Sequence, residues 1–342
     1  MLKQSPINTN NKIASRRTDK YGTFMFWTAV LILSYNFVRL RFMWGNEFLM
    51  AGESNESYLV ELIRGVGVVP FQYRILMPII INVLMKIFHG FTFASSPNQI
   101  MKVMEFVSTV FLVFAYRAYI SLFIENRVVA SAGALSLFYV LPFNYLNNYG
   151  DWYYPYDIPS VLFITLGLIL LYKRSFTWYY PLFILATFNR ETTIFLTFIF
   201  LFVFWGRLGK KELTLHIAAQ AFAWIIIKTI LHFIYENNPG GGLFENHFFL
   251  NLTDLGKHGF YPYVATAAGV VWLPCLFFFR FVKDEFVRRA MWVLLPFLAT
   301  MMFMGNLHEL RIYGEMIPIV LTPAVIIFYE MVKRSFAANE GG

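Results

Sequence analysis

The chain has 342 residues, 58% of them hydrophobic and only 14% charged, where soluble domains sit near about 45–50% and about 25%. That balance excludes an ordinary soluble domain, and the single Cys275 excludes an intramolecular disulfide or a cysteine-based metal cluster. The net charge of +8 is spread along polar segments between apolar runs and not gathered in one patch, so no nucleic-acid partner is expected.

Residues 1–22 form a basic tail with Lys3, Lys12, Arg16, Arg17 and Lys20. The first apolar run, 23–43, follows without a small-residue cleavage site and reads as an uncleaved anchor. The tail then lies inside by the positive-inside rule. The next sixty or so residues, 44–102, form a first outer loop with Glu47, Glu53, Glu56 and Glu61, then Arg64 and Arg74. Within it, 75–88 is apolar but would reach only roughly 21 Å as a helix, short of the ~30 Å hydrocarbon core. It is expected to be a juxtamembrane helix on the outer face.

Further spans are expected at 103–124 and 128–145, joined by the inner turn Glu125-Asn126-Arg127. The polar, aromatic loop 144–157 follows, with Asp151 and Asp157, and then a span at 158–172 stopped by Lys173-Arg174. Between that stop and the basic group Arg207, Lys210, Lys211 lie residues 176–205. Two crossings are needed to keep both ends inside, so two short helices are expected, bent at Asn189-Arg190-Glu191. A span at 213–235 contains Lys228; the loop 236–260 contains Glu245, His247, Asp254 and His258. Spans at 261–279, 290–305 and 312–332 complete the chain, with an outer turn at 306–312 and basic inner segments at 280–289 and 333–334. The expectation is an all-α polytopic membrane protein of about ten spans plus the outer juxtamembrane helix. It forms one transmembrane unit, 23–334, between the basic tail and a cytoplasmic end at 335–342.

Four polar sets fall on the outer side: residues 52–58, Asp151 with Asp157, Arg190-Glu191, and His308-Glu309 with Arg311. Charge at membrane depth costs a few kcal/mol, so such residues default to function or to pairing. Each also has a plainer reading. Asp157 before Pro159 suits a helix N-cap, Asp151 a solvated loop, and Arg74 and Arg311 snorkelling. Arg190 and Glu191 could form a structural pair, although neighbours on a helix do not face each other. His247 and His258 have poor metal-ligand spacing. The sequons at Asn55 and Asn251 matter only in a glycosylating secretory pathway.

The order of these sets resembles the GT-C superfamily of polytopic glycosyltransferases. Glu53, Glu56 and Tyr58 stand where that family has an acidic first loop, with Glu in place of the usual Asp. Phe71-Gln72-Tyr73-Arg74-Ile75-Leu76-Met77-Pro78 resembles its juxtamembrane entry. Tyr156-Asp157-Ile158-Pro159 resembles its second acidic loop, Asn189-Arg190-Glu191-Thr192 a shallow charged turn, and Arg311 with Pro318 a late arginine before a Pro-containing span. The resemblance implies a sugar donor on a polyprenyl phosphate and a glycan, lipid or protein acceptor, at the outer face of a bacterial inner membrane. Glu53, Glu56 or Asp157 would be the catalytic carboxylate. Arg74, Asp151, Arg190, Glu191, Glu309 and Arg311 would bind substrate, the arginines through their bidentate fork. No resident metal set is expected, though a divalent cation could join the loop carboxylates. A lipid-linked glycan transporter, a polysaccharide polymerase and a non-catalytic scaffold stay open beside this reading.

Overall fold

The computed structural model describes residues 9–44, 58–92, 96–146, 154–241 and 245–340. Glu53, Glu56 and Asp151 therefore lie outside the described residues, as does the sequon at Asn55. Among the described residues the fold is all-helical. Six helices are long and apolar enough to cross a membrane: Tyr21–Met43, Pro97–Ile120, Arg127–Tyr145, Lys210–Tyr235, Glu285–Met304 and Leu310–Ala337. The expected count of about ten is not reached by this measure. Leu76–Ile87, Asp157–Tyr172, Glu191–Phe204 and Ala267–Phe281 are apolar but shorter, and an apolar run alone does not give spanning length.

Local chemistry explains several boundaries. Asn126 caps the helix Arg127–Leu135 by accepting from the Val128 and Val129 N–H groups. The two short helices expected between 176 and 205 are present as Phe176–Asn189 and Phe195–Phe204, joined by the turn Glu191–Ile194. Asn189 and Arg190 at that bend are buried. The Asn189 amide donates to the Tyr156 carbonyl at 3.1 Å and to Ser160 Oγ at 2.8 Å, clamping the bend onto the start of the helix Asp157–Tyr172.

The expected continuous span at 261–279 is broken. Helices Phe260–Ala265 and Leu273–Phe278 flank a turn in which Ala268, Gly269 and Val270 all have positive φ. Tertiary contacts hold the break open: the Ala268 N–H donates to Asn144 Oδ1 at 2.9 Å, and Tyr139 Oη donates to the Gly269 carbonyl at 3.3 Å. The loop 236–260 contains a helix of its own, Phe248–Leu255. There Asn251 is fully buried and its amide spans the Met302 and Gly305 carbonyls and the Leu307 N–H. The second sequon is thus consumed by the fold.

The apolar side chains divide between inside and outside. A phenylalanine-rich core joins Phe195, Phe200 and Phe204 to Tyr179 and Phe297. The helix Lys210–Ile234 turns Leu215, Phe222, Ile225, Ile230 and Phe233 outward, a face that suits lipid. Glycines allow close approach where helices cross. A methyl group at Gly167 would sit 2.7 Å from a Leu196 methyl, and one at Gly314 would sit 1.9 Å from Tyr145 Oη. Gly314→Ala is expected to cost about 1–3 kcal/mol of stability through overpacking. Thermal unfolding in detergent checks this, and Gly209→Ala, with open space at its Cβ, should leave the midpoint within about a degree of wild type.

Candidate active site

Asp157 stands in the first turn of the helix Asp157–Tyr172 and is wholly buried. Three guanidinium groups converge on it. Arg41 Nη2 donates to Oδ2 at 3.3 Å, Arg190 Nη1 donates to Oδ1 at 3.3 Å, and Arg311 Nη1 lies 3.7 Å from the same Oδ1. Each arginine also has a second carboxylate. Arg41 pairs with Glu105, Arg190 with Glu315 at 2.9 Å, and Arg311 with Glu309 at 2.6 Å. The network thus ties the end of the first helix, the start of Pro97–Ile120, the bend after Phe176–Asn189 and the start of the last helix to one point.

A second pair flanks it. Arg74 Nε and Nη2 grip Glu191 at 3.1 and 2.5 Å, and Nη1 donates to Tyr156 Oη at 2.6 Å. Burial opposes the Arg74 charge, but the Glu191 carboxylate and Tyr156 outweigh it and push its pKa well above the usual value. The alternative of a structural Arg190–Glu191 pair is not what forms: these chain neighbours point apart, Arg190 to Asp157 and Glu315, Glu191 to Arg74. Trp224 Nε1 donates to the Glu191 carbonyl at 2.8 Å, and Lys228 Nζ to the Tyr73 carbonyl at 3.5 Å.

Aromatic faces complete the charged layer. Arg311 lies 3.9 Å from the Tyr154 ring centroid, Arg74 4.6 Å from that of Tyr156, and Arg41 5.0 Å from that of Tyr145. Burial pushes the Tyr154 hydroxyl up to about 12 against the pull of Arg311, so it stays protonated at neutral pH.

Beside this layer lies a cavity of about 360 Å³, within the size range of small-ligand pockets. Arg74, Arg190 and Arg311 line it, with the carboxylates Glu191, Glu245 and Glu309. The apolar side chains Phe195, Trp224, Met301 and Met304 line it as well. Arg190 Nε and Arg311 Nε are buried without a hydrogen-bond partner among the described residues. Of the sequence candidates, Arg74, Arg190, Glu191, Glu309 and Arg311 come together on this one cavity. Asp157 does not line it but lies behind its arginines. His308, grouped in the sequence with Glu309 and Arg311, turns instead to Asp254, with Nδ1 2.6 Å from Oδ2.

Arg41, Glu105 and Glu315 were not singled out as site residues by the sequence reading. Each sits in an apolar run, and a charge in such a run was the available signal. Among the described residues no group of three or more His, Cys, Asp or Glu side chains could hold a metal ion. Asp157, Glu105 and Glu315 are each paired with guanidinium groups. No family model matches the chain, and neither a curated protein nor a solved structure is detectably similar to it.

The buried hub and the rim should respond differently to neutralisation. Asp157→Asn removes the charge that three guanidiniums share and is expected to cost about 3–5 kcal/mol. Glu309→Gln, at a partly exposed pair, should cost about 1 kcal/mol or less. Thermal unfolding in detergent separates the two. Asp254 supplies a pH test. Burial raises its pKa, but hydrogen bonds from Lys257 and His308 outweigh that and hold it below the usual carboxylate range. Its stabilisation is then fully present above the unfolded pKa of about 3.9 and is lost as pH falls through the lower folded value. His308→Gln should move the acid-unfolding midpoint, followed by circular dichroism, to higher pH than in wild type.

Proposed function

We propose that the chain is a GT-C-like membrane glycosyltransferase that moves a sugar from a polyprenyl-phosphate carrier to a glycan, lipid or protein acceptor. The site would face the extracytoplasmic side of a bacterial inner membrane. The observation that supports this reading best is the mixed lining of the cavity. Arg74, Arg190 and Arg311 share its lining with the apolar side chains Phe195, Trp224, Met301 and Met304. An amphiphile with a phosphate head and a hydrocarbon chain suits a lining of arginines and apolar side chains. A guanidinium stabilises the charge that develops on a departing phosphate, and it does so strongly where water is scarce.

In this reading Asp157 is a positioning residue. Wholly buried and outside the cavity lining, it holds Arg190 and Arg311 at the cavity. A transporter would call for a polar path to the opposite end. There the charges Arg207, Glu285 and Arg289 form surface pairs outside the cavity lining.

The test is mass spectrometry of lipid-linked sugars and surface glycans in a strain lacking the protein. Complementation uses wild type or Arg311→Gln, with membrane levels matched by immunoblot. The expected outcome is loss of one sugar or linkage, restored by wild type and reduced at least tenfold in Arg311→Gln. An unchanged glycan profile in the deletion strain would sink the reading.

A further inference from the structure

We propose that Glu245 is the general base that activates the acceptor hydroxyl. This rests on the transferase reading above. An inverting transfer needs a carboxylate that reaches the cavity, meets an acceptor arriving from solvent, and keeps a lone pair free. The other described carboxylates each fail one of these requirements. Asp157 and Glu315 are sealed, at 0% and 1% side-chain exposure, and do not line the cavity. Glu191 and Glu309 line it, but Arg74 and Arg311 hold them. Glu245 lines the cavity, keeps 47% of its side chain exposed, and has no arginine partner among the described residues. Its charged neighbour is His247, whose Nε2 lies 3.3 Å from Oε2. That contact is made by Oε2; Oε1, which lies against Gly241, would take the acceptor proton.

The fold fixes this residue in place against the arginine wall. The segment before it is bonded to the strand-like residues that lead to Arg74: the Val69 N–H donates to the Pro239 carbonyl at 2.9 Å, and Asn238 Nδ2 donates to the Gly65 and Gly67 carbonyls at 3.0 and 2.9 Å. Gly240 has φ of +117°, and a Cβ there would lie 2.4 Å from the Val69 carbonyl oxygen, so only glycine permits the approach. On the other side, the His247 N–H donates to the Phe303 carbonyl at 2.8 Å, near the cavity residues Met301 and Met304. Residues 238–240 are thus bonded to the segment entering Arg74, and His247, two residues after Glu245, to the helix Leu294–Met304.

The step balances as a single displacement. The acceptor oxygen forms a bond to the anomeric carbon as the bond from that carbon to the phosphate oxygen breaks. The electron pair leaves on the phosphate, facing Arg190 and Arg311, and the acceptor proton passes to Glu245. The anomeric configuration inverts.

The experiment uses membranes of the deletion strain carrying wild type, Glu245→Gln, Glu245→Ala or Arg311→Gln, with donor loss and glycosyl product read by mass spectrometry. Azide is the probe, because it attacks the anomeric carbon without needing to lose a proton. The expected result is a loss of product of about 10²-fold or more in Glu245→Gln. Sodium azide should restore donor consumption and yield a glycosyl azide in Glu245→Ala, but not in Arg311→Gln. Wild-type product levels in Glu245→Gln would overturn the assignment while leaving the transferase reading intact. A loss of product without azide rescue would make Glu245 structural and overturn it as well. An unchanged glycan profile in the deletion strain would remove both.

Discussion

One buried carboxylate holds the charged end of this bundle together. Asp157 meets Arg41, Arg190 and Arg311, which come from the first helix, the bend after Phe176–Asn189 and the turn Leu310–Met316. Burying any of these charges alone would cost several kcal/mol, and only the mutual arrangement makes burial tolerable. Each arginine is therefore committed to a second carboxylate, and every partner is drawn to the same level of the structure. Removing one member leaves the others charged and dry, so the network acts as a unit and not as a set of pairs.

The same network shapes what the cavity can bind. Asp157 and Glu315 approach Arg190 at Nη1, leaving its Nε without a bond. The guanidinium is held by carboxylates that lie outside the cavity lining, while the residue itself lines the cavity. Such groups are held in place before any substrate arrives, which is the condition under which dipoles and charges stabilise a transition state most effectively. Phe195, Trp224, Met301 and Met304 line the same cavity, and the Trp224 indole N–H is already taken by the Glu191 carbonyl.

Short helices make this arrangement possible. Asp157–Tyr172, Phe176–Asn189 and Phe195–Phe204 have 16, 14 and 10 residues. Their ends place polar backbone and charged side chains inside the bundle, where protein lines them. The clamp from Asn189 to Tyr156 and Ser160 supplies partners at the bend. The left-handed turn at Ala268–Val270 is satisfied in the same way, through Asn144 and Tyr139.

Much of the frame was legible in the sequence. Composition and apolar runs determined an all-helical membrane class, and the spacing of basic residues around 176–205 determined a pair of short helices with a charged bend. These are local properties: helix length, hydropathy and charge are carried by neighbouring residues. The partners were not legible. Arg41 and Glu105 are 64 residues apart, Arg41 and Asp157 116, and Arg74 and Glu191 117, and nothing in a linear pattern assigns one carboxylate to one guanidinium. The tertiary structure alone decided that Arg190 and Glu191 face different partners, that His308 leaves the cavity for Asp254, and that Asp157 lies behind its arginines. It also decided where long apolar runs break, because the hydrogen bonds that compensate the break at 267–270 come from a helix more than a hundred residues earlier. Long-range pairing depends on three-dimensional packing, and in a low-dielectric interior that pairing determines which charges remain available for chemistry.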